Sequence, residues 1–384
     1  MIRMLTAFTE EIDDLEVSVA DILDQIEPDK NLLANSVGIV HCRHDFLESG
    51  AVNAIKESLP FDLVGVSTIN TGAPGVMGEF VLTLTVLTSD DVQFVAGVSS
   101  QIADDMEGPV QELCERLISG PGIKPGMLMP FVPFMLNFGG DEFVAKLDSL
   151  SGGLPAFGSL AISNEPDYSG AYTIYNDGYW SDAMVLLALV GNVKPEFLSV
   201  STLDANVLKQ KAIITAAAKN VLQEINNIPA VKYLESLGLA HDGNIAGIES
   251  MPFVIDNEDG SRLIRSCIEA TEEGYVICAG AIPINSVFGV ATMGIDDVVA
   301  STEALVCEAV ERAGGRGILM YSCVARNWTL GTKIMAEQEK VAECVGESSP
   351  YHFTYSGGEI FPVTMKDGSH ANLLQNDSLI ICIL

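Results

Sequence analysis

The stretch GIVHCRHDF, residues 38–46, opens the pattern that decides the fold. An apolar run ends in His41, Cys42 and His44. Helical periodicity follows in ESGAVNAIKESL (48–59), a second apolar run in FDLVGVSTINTG (61–72), and alternation in EFVLTLTVLTSDD (79–91). These periods predict a strand, a helix and two further strands. The same order recurs twice. GMLMPFVPFM (126–135), DEFVAKLDSLSG (141–152), LPAFGSLAISNE (154–165) and YTIYNDGYWSDAMVLLALVG (172–191) form a second unit, with a hairpin-like insert in its last segment. GILMYSCVARN (317–327), KIMAEQEKVAECVG (333–346), YHFTYSGGEIFPV (351–363) and NDSLIICIL (376–384) form a third. An acidic amphipathic helix precedes each unit, at residues 10–26, 106–119 and 296–315. Three copies at such spacing indicate an internal repeat.

Residues 196–298 depart from the pattern. Short apolar strands separated by Asn-Asn, Glu-Asp-Gly and Glu-Gly turns, with one short helix at PAVKYLESLG, predict a mainly antiparallel module between the second and third units. The predicted fold class is therefore α/β: repeated β-α-β-β units in mixed sheets with flanking helices, plus this inserted module. The expected division is 1–195 for the first two units and 196–384 for the rest, with the module at 196–298 and the third unit at 299–384.

Composition bounds the function. At 384 residues, 48% hydrophobic and a mean hydropathy of +0.30, the chain can bury a large core. Asp and Glu outnumber Lys and Arg by 52 to 20, a field that repels phosphate backbones and anionic headgroups, so no nucleic-acid partner is expected. No apolar run approaches the ~20 residues of a membrane span, and the acidic start is unlike a signal peptide. A cytoplasmic protein without membrane insertion is expected. The eight cysteines are scattered, mostly in apolar segments and without a CxxC pair, which reads as buried thiols in a reducing compartment.

The succession EINNIPAVKYLESLG, MPFVI, a strand before AIP, an acidic helix, GILMYSCVAR, FTYSGGEIFPV and a terminal apolar strand resembles the FIST family of bacterial sensory domains. Its N-terminal region would cover the first two units, its C-terminal region the module and the third. The most specific parts are EINNIPA, Cys323 to Arg326, and Gly358, Glu359 and Ile360. Ala325 stands where the family pattern usually has glycine. The resemblance implies sensing of small molecules, amino acids among them, with heme and nitric oxide as the alternative. Signalling through a protein partner is then expected.

Strand ends in open α/β sheets are where ligands bind, and His41, Cys42 and His44 align with residues 131–134 and 321–324. On one strand His41 and Cys42 face opposite sides, so they do not share a metal ion; Cys42 reads as core. For heme a single histidine would suffice, but none of His41, His44, His241, His352 and His370 stands out as the ligand, and no cofactor is predicted. The ligand-binding candidates are Cys323, Arg326, Ser356, Gly357, Gly358 and Glu359. Two glycines permit backbone N–H groups to face a ligand, or alternatively form a turn. Arg326 could pair with a ligand carboxylate or with a carboxylate of the chain, and Glu359 could receive an ammonium group. Ser163, Asn164 and Glu165, with Ser67 and Asn70, offer polar groups at the equivalent strand ends. Enzymatic motifs are missing: Cys323 has no local base, the serines lack a GxSxG setting, and GGRG (314–317) precedes a strand rather than a helix. A binding protein is expected, with an interaction scaffold or an amidase-like enzyme as further alternatives. On this reading, Arg326→Ala removes ligand binding and leaves the fold intact.

Overall fold

The computed structural model describes residues 1–384 except 103–104, 121, 123, 135–139, 166–167, 203, 246–247, 249–250 and 366–367. Met135, the last residue of the second unit's first apolar run, thus lies outside the described residues. The first repeat comprises β1 (Arg3–Thr9), α1 (Leu15–Ile26), the single turns α2 (Pro28–Asn31) and, after β2 (Asn35–Cys42), α3 (Asp45–Glu48), then α4 (Ala51–Ser58), β3 (Leu63–Ser67), β4 (Thr71–Ala73), β5 (Val76–Gly78) and β6 (Leu82–Ser89). The second comprises β7 (Gln93–Val98), α5 (Glu107–Ile118), β8 (Pro125–Val132), α6 (Gly140–Ser151), β9 (Gly158–Leu160), β10 (Thr173–Tyr175), β11 (Gly178–Trp180) and β12 (Val185–Val190). The third opens with β13 (Glu196–Val200).

The module interrupts the third repeat after β13. It contains β14 (Ala212–Ala218), β15 (Val221–Ile225), β16 (Ile228–Pro229), α7 (Ala230–Ser236), β17 (Phe253–Asp256), β18 (Arg262–Arg265), β19 (Cys267–Ala270), β20 (Val276–Cys278) and β21 (Val287–Val290), all paired antiparallel in one sheet. The repeat then resumes with α8 (Ile295–Ala313), β22 (Ile318–Cys323), α9 (Val324–Leu330), α10 (Ala336–Val345), β23 (Tyr351–Ser356), β24 (Glu359–Thr364), β25 (His370–Gln375) and β26 (Leu379–Ile383).

Each repeat builds a six-stranded sheet, and none completes it alone. The orders are β1-β6-β2-β3-β10-β11, β7-β12-β8-β9-β24-β25 and β13-β26-β22-β23-β4-β5. In every sheet the central parallel pair is joined through helix, as a β-α-β crossover requires. The outer hairpin comes from another repeat: β10 pairs with β3, β24 with β9, and β4 with β23, all antiparallel. The hairpin expected as an insert of the second unit is therefore a feature of all three.

Burial on both faces explains the unbroken apolar runs of the central strands. In β2, Val37 and Ile39 enter a core shared by all three sheets, while Val40 and Cys42 pack under the helices of their own repeat. Met127, Met129 and Phe131 face the shared core from β8, and Leu319 and Tyr321 from β22. Gly65 and Gly158 stand at matching positions where a Cβ would strike the backbone oxygens of Val40 and Pro130, so close strand approach requires glycine there. The module has its own core around Ile214, Leu222, Phe253 and Phe288. Among the described residues, no helix is long and apolar enough to cross a membrane.

His41 reaches the shared core, near Phe131 and Tyr321 and stacked on His352 with ring centroids 4.5 Å apart. Both imidazoles are fully buried, and none of their ring nitrogens, nor the hydroxyls of Tyr321 and Thr85, has a hydrogen-bond partner among the described residues. Burial holds both histidines in the neutral form: His41 lies well below the ordinary histidine range, helped by His352, and His352 is pushed down to about 3.

The third repeat corrects the sequence expectation at one turn. Strand β22 stops at Cys323, and Val324–Leu330 is helical, so Arg326 points into the core rather than beyond a strand end. Its guanidinium is fully buried. Nε and Nη2 donate to Glu337 Oε1 at 3.0 and 2.8 Å, and Nη2 also reaches Thr302, Ser301 and the Val298 carbonyl. Glu337, equally buried, accepts further bonds from Thr302, Ser322 and Tyr355. One ion pair thus joins α8, α9, α10, β22 and β23.

Arg326→Ala strands a buried carboxylate and should cost about 3–5 kcal/mol, measured by chemical denaturation, contrary to the intact fold expected from sequence. The double variant Arg326→Met/Glu337→Met, which leaves no unpaired charge, should recover part of that loss. Because the histidines bind protons in the unfolded chain below pH ~6.5 but not in the native one, stability should fall on acidification through that value, by about 1.4 kcal/mol per pH unit for each histidine. His352→Phe should flatten the slope of denaturation midpoint against pH between about 6.5 and 4; an unchanged slope would contradict a neutral buried pair.

Candidate functional site

The carboxyl ends of β22 and β8 open on a cavity of about 500 Å³. Cys323, Val324, Ala325 and Trp328 line it from the start of α9, Phe134 and Ile162 from the loops after β8 and β9, and Tyr168 from the segment leading to β10. Gly357 and Asn376 line it from the turns before β24 and β26, while Ser266, Cys267, Ile268 and Ala279 of the module close the opposite side. Phe134 and Tyr168 pack ring to ring at 4.7 Å, and Trp328 is 43% exposed. The wall is mixed aromatic and polar, with no charged side chain among the described lining residues.

The module is fixed against this cavity by buried polar contacts. Arg265, fully buried, pairs with Asp141 at the start of α6 and donates to the carbonyls of Ala281, Ile264 and Leu374. Gln375 bonds Ile264 N–H and the Arg262 carbonyl, and Ser266 donates to Asp377 at 2.7 Å. These bonds hold the roof in register with β25.

Of the six residues singled out from sequence, Cys323 and Gly357 line the cavity. Parallel pairing sets Cys323 opposite Ser356, so the two strand ends do lie side by side. Ser356 Oγ is engaged with Gly358 and Ser159. The glycine N–H groups are also occupied: Gly357 donates to the Leu160 carbonyl at 3.0 Å and Gly358 to Ser356 Oγ at 3.1 Å. A Cβ at Gly357 would lie 2.8 Å from the Ala161 carbonyl oxygen, so this pair serves the crossing of the chain from one sheet to the next. Arg326 is held in the core as described. Ser67 clasps the second repeat through Ile162, Gly170 and Tyr172, and Asn70 is buried beside Met335.

Behind the cavity floor lies an acidic pair. Glu359 is fully buried, its Oε2 accepting from Ser378 at 2.7 Å and its Oε1 without a partner among the described residues. Burial, opposed by the Ser378 bond and assisted by Asp377, pushes the Glu359 carboxyl well above the usual range. Asp377 is pushed up to about 6 by burial. Burial together with these two carboxyls also raises the Cys323 thiol, which disfavours a thiolate nucleophile or metal ligand there. Asn376 is buried at the cavity and its Nδ2 has no partner among the described residues.

Heme does not fit this arrangement well. No imidazole is among the described lining residues, and His41 and His352 are enclosed by the shared core. Among the described residues, no group of three metal-ligating side chains converges.

Sequence reading missed the aromatic residues Phe134, Tyr168 and Trp328, and the module's contribution. Phe134 and Tyr168 flank the strand ends aligned by the repeat, which was the available signal; nothing local marked Ser266 or Ala279. A family model of the FIST N domain matches residues 36–228, and one of the FIST C domain matches residues 229–362. No curated protein matches the chain.

Asp377 gives the floor a measurable titration. Its native carboxyl keeps a proton up to about pH 6, whereas the unfolded one releases it near 3.8, so ionisation above pH 6 burdens the native state. Asp377→Asn should therefore gain stability relative to the parent as pH rises from 4 to 6.5, by about 2–3 kcal/mol, and then level off. Denaturation curves across that range check this, and a constant difference would contradict a raised carboxyl.

Proposed function

The chain belongs to the FIST family, whose domains are associated with sensory signal transduction, and on that premise we propose that it is a cytoplasmic sensor of a small metabolite held in the cavity above Cys323. The observation that carries this reading is the cavity's composition from both matched regions: residues of the second repeat, the third repeat and the module line one space. A ligand there touches all three at once. Its binding can alter how the module sits on the repeats, which is a route to a signalling partner.

The chemistry favours a neutral or ammonium-bearing ligand over an anion. The described wall supplies no cation, Arg326 is consumed by Glu337, and Asp377 lies behind the floor in a chain of net charge −32. Aromatic faces at Phe134, Tyr168 and Trp328 suit an apolar body or an ammonium group. Asn376 Nδ2 offers a donor for a carbonyl or carboxylate oxygen. An amino acid or its amide combines these features. The raised Cys323 thiol, which disfavours a thiolate nucleophile, supports binding rather than catalysis.

Thermal-shift screening against amino acids, amines, dicarboxylates and phosphates tests the reading. A ligand at a hundred times its Kd should stabilise the native state by about 2.7 kcal/mol, with amino acids or amines active and phosphates inactive. Trp328→Ala should weaken that ligand about tenfold while leaving the unliganded midpoint nearly unchanged. A panel without any shift, alongside capture of a signalling protein, would favour a scaffold.

A further inference from the structure

We infer that Cys307 and Cys344 form a peroxide-reactive dithiol, a modification site whose oxidation ties α8 to α10. Cys307 lies on α8 and Cys344 on α10, 37 residues apart in sequence, yet their sulfurs are 3.3 Å apart. Cys307 is exposed and Cys344 half-buried, whereas the other six cysteines are buried. The pair alone combines proximity with access. Forming a disulfide requires the sulfurs to close to about 2.05 Å, a small adjustment for side chains on two helices already packed together.

The two thiols divide the chemistry. Burial pushes Cys344 up to about 12, assisted by Cys307, so it is a poor first nucleophile. The exposed Cys307 thiolate attacks one oxygen of hydrogen peroxide. An S–O bond forms as the O–O bond breaks, and the departing hydroxide takes up the thiol proton as water. Cys344 then attacks the sulfenic sulfur and expels the second oxygen as water. Two thiols are oxidised by two electrons, and one peroxide is reduced to two waters. A glutathione-type thiol reverses the step by exchange. In a reducing compartment such a disulfide is transient and suited to redox sensing.

The placement connects this site to the rest of the third repeat. The closed loop would contain β22 and α9, and the same two helices carry Thr302 and Glu337, which hold Arg326. Oxidation therefore restrains the frame that positions α9 at the cavity edge. The proposal does not depend on any ligand occupying that cavity.

The test is peroxide treatment of the purified full chain, followed by alkylation, digestion and mass spectrometry. Two of the eight thiols should be lost, one cross-linked peptide should join Cys307 to Cys344, and dithiothreitol should restore both. Cys344→Ser should instead accumulate a dimedone-reactive sulfenic acid at Cys307, and Cys307→Ser should give neither product. The wild-type disulfide should migrate as monomer on a non-reducing gel. Sulfinic acid at Cys307 without a cross-link, a cross-link between chains, or faster oxidation of another cysteine would overturn the assignment.

Discussion

Each of the three six-stranded sheets ends on a hairpin that belongs to another repeat, and the architecture of the repeats depends on that exchange. A strand such as β3, β9 or β23 would otherwise present an open edge of unpaired backbone groups. The hairpins close these edges cyclically, first repeat to third, second to first and third to second. The shared core has the same logic. Val37, Met129 and Leu319 lie in it together, so the inner face of each sheet is buried by the other two. A single repeat has neither its last strands nor its inner cover. Cooperative folding of all three is the physical consequence.

Two of the buried polar groups in this interior differ sharply in how far they are hydrogen-bonded. Arg326 and Glu337 are surrounded by hydroxyls and a carbonyl, so the desolvation of two charges is offset by a dense set of bonds, with only Arg326 Nη1 left without a partner among the described residues. The pair fixes α9 between α8 and α10. The imidazoles of His41 and His352 are stacked with nitrogens that have no partner among the described residues, and each such polar group costs about 1–3 kcal/mol. Acid sensitivity is thereby concentrated at the meeting point of the sheets. The ion pair sets local geometry, while the neutral histidines make the shared core sensitive to acid.

The cavity arises where these constraints meet. Exchange carries β24 away from β23 at Gly357 and Gly358, and the early end of β22 lets α9 turn Trp328 outward. The module, inserted between β13 and α8, then lies across the gap through Arg265, Ser266 and Gln375. The cavity is thereby bounded by parts from distant stretches of chain.

Local periodicity was enough to reveal the threefold repeat, the helices that precede each unit, and the antiparallel character of the module, because strand and helix patterns are written in neighbouring residues. Motif order near Cys323 and Gly358 was enough to indicate the family. The alternation of His41 and Cys42 to opposite faces was also legible. The exchange of hairpins was not, since pairing partners such as Thr71 and Thr354 are separated by hundreds of residues and no local pattern names them. Arg326 was misplaced for a related reason. Continuing the strand beyond Cys323 carries residue 326 past the sheet, whereas one turn of helix swings it into the core, and only Glu337 and Thr302, waiting on two other helices, decide between them. Secondary structure follows from near neighbours; the direction of a charged side chain follows from the charges that packing brings to meet it.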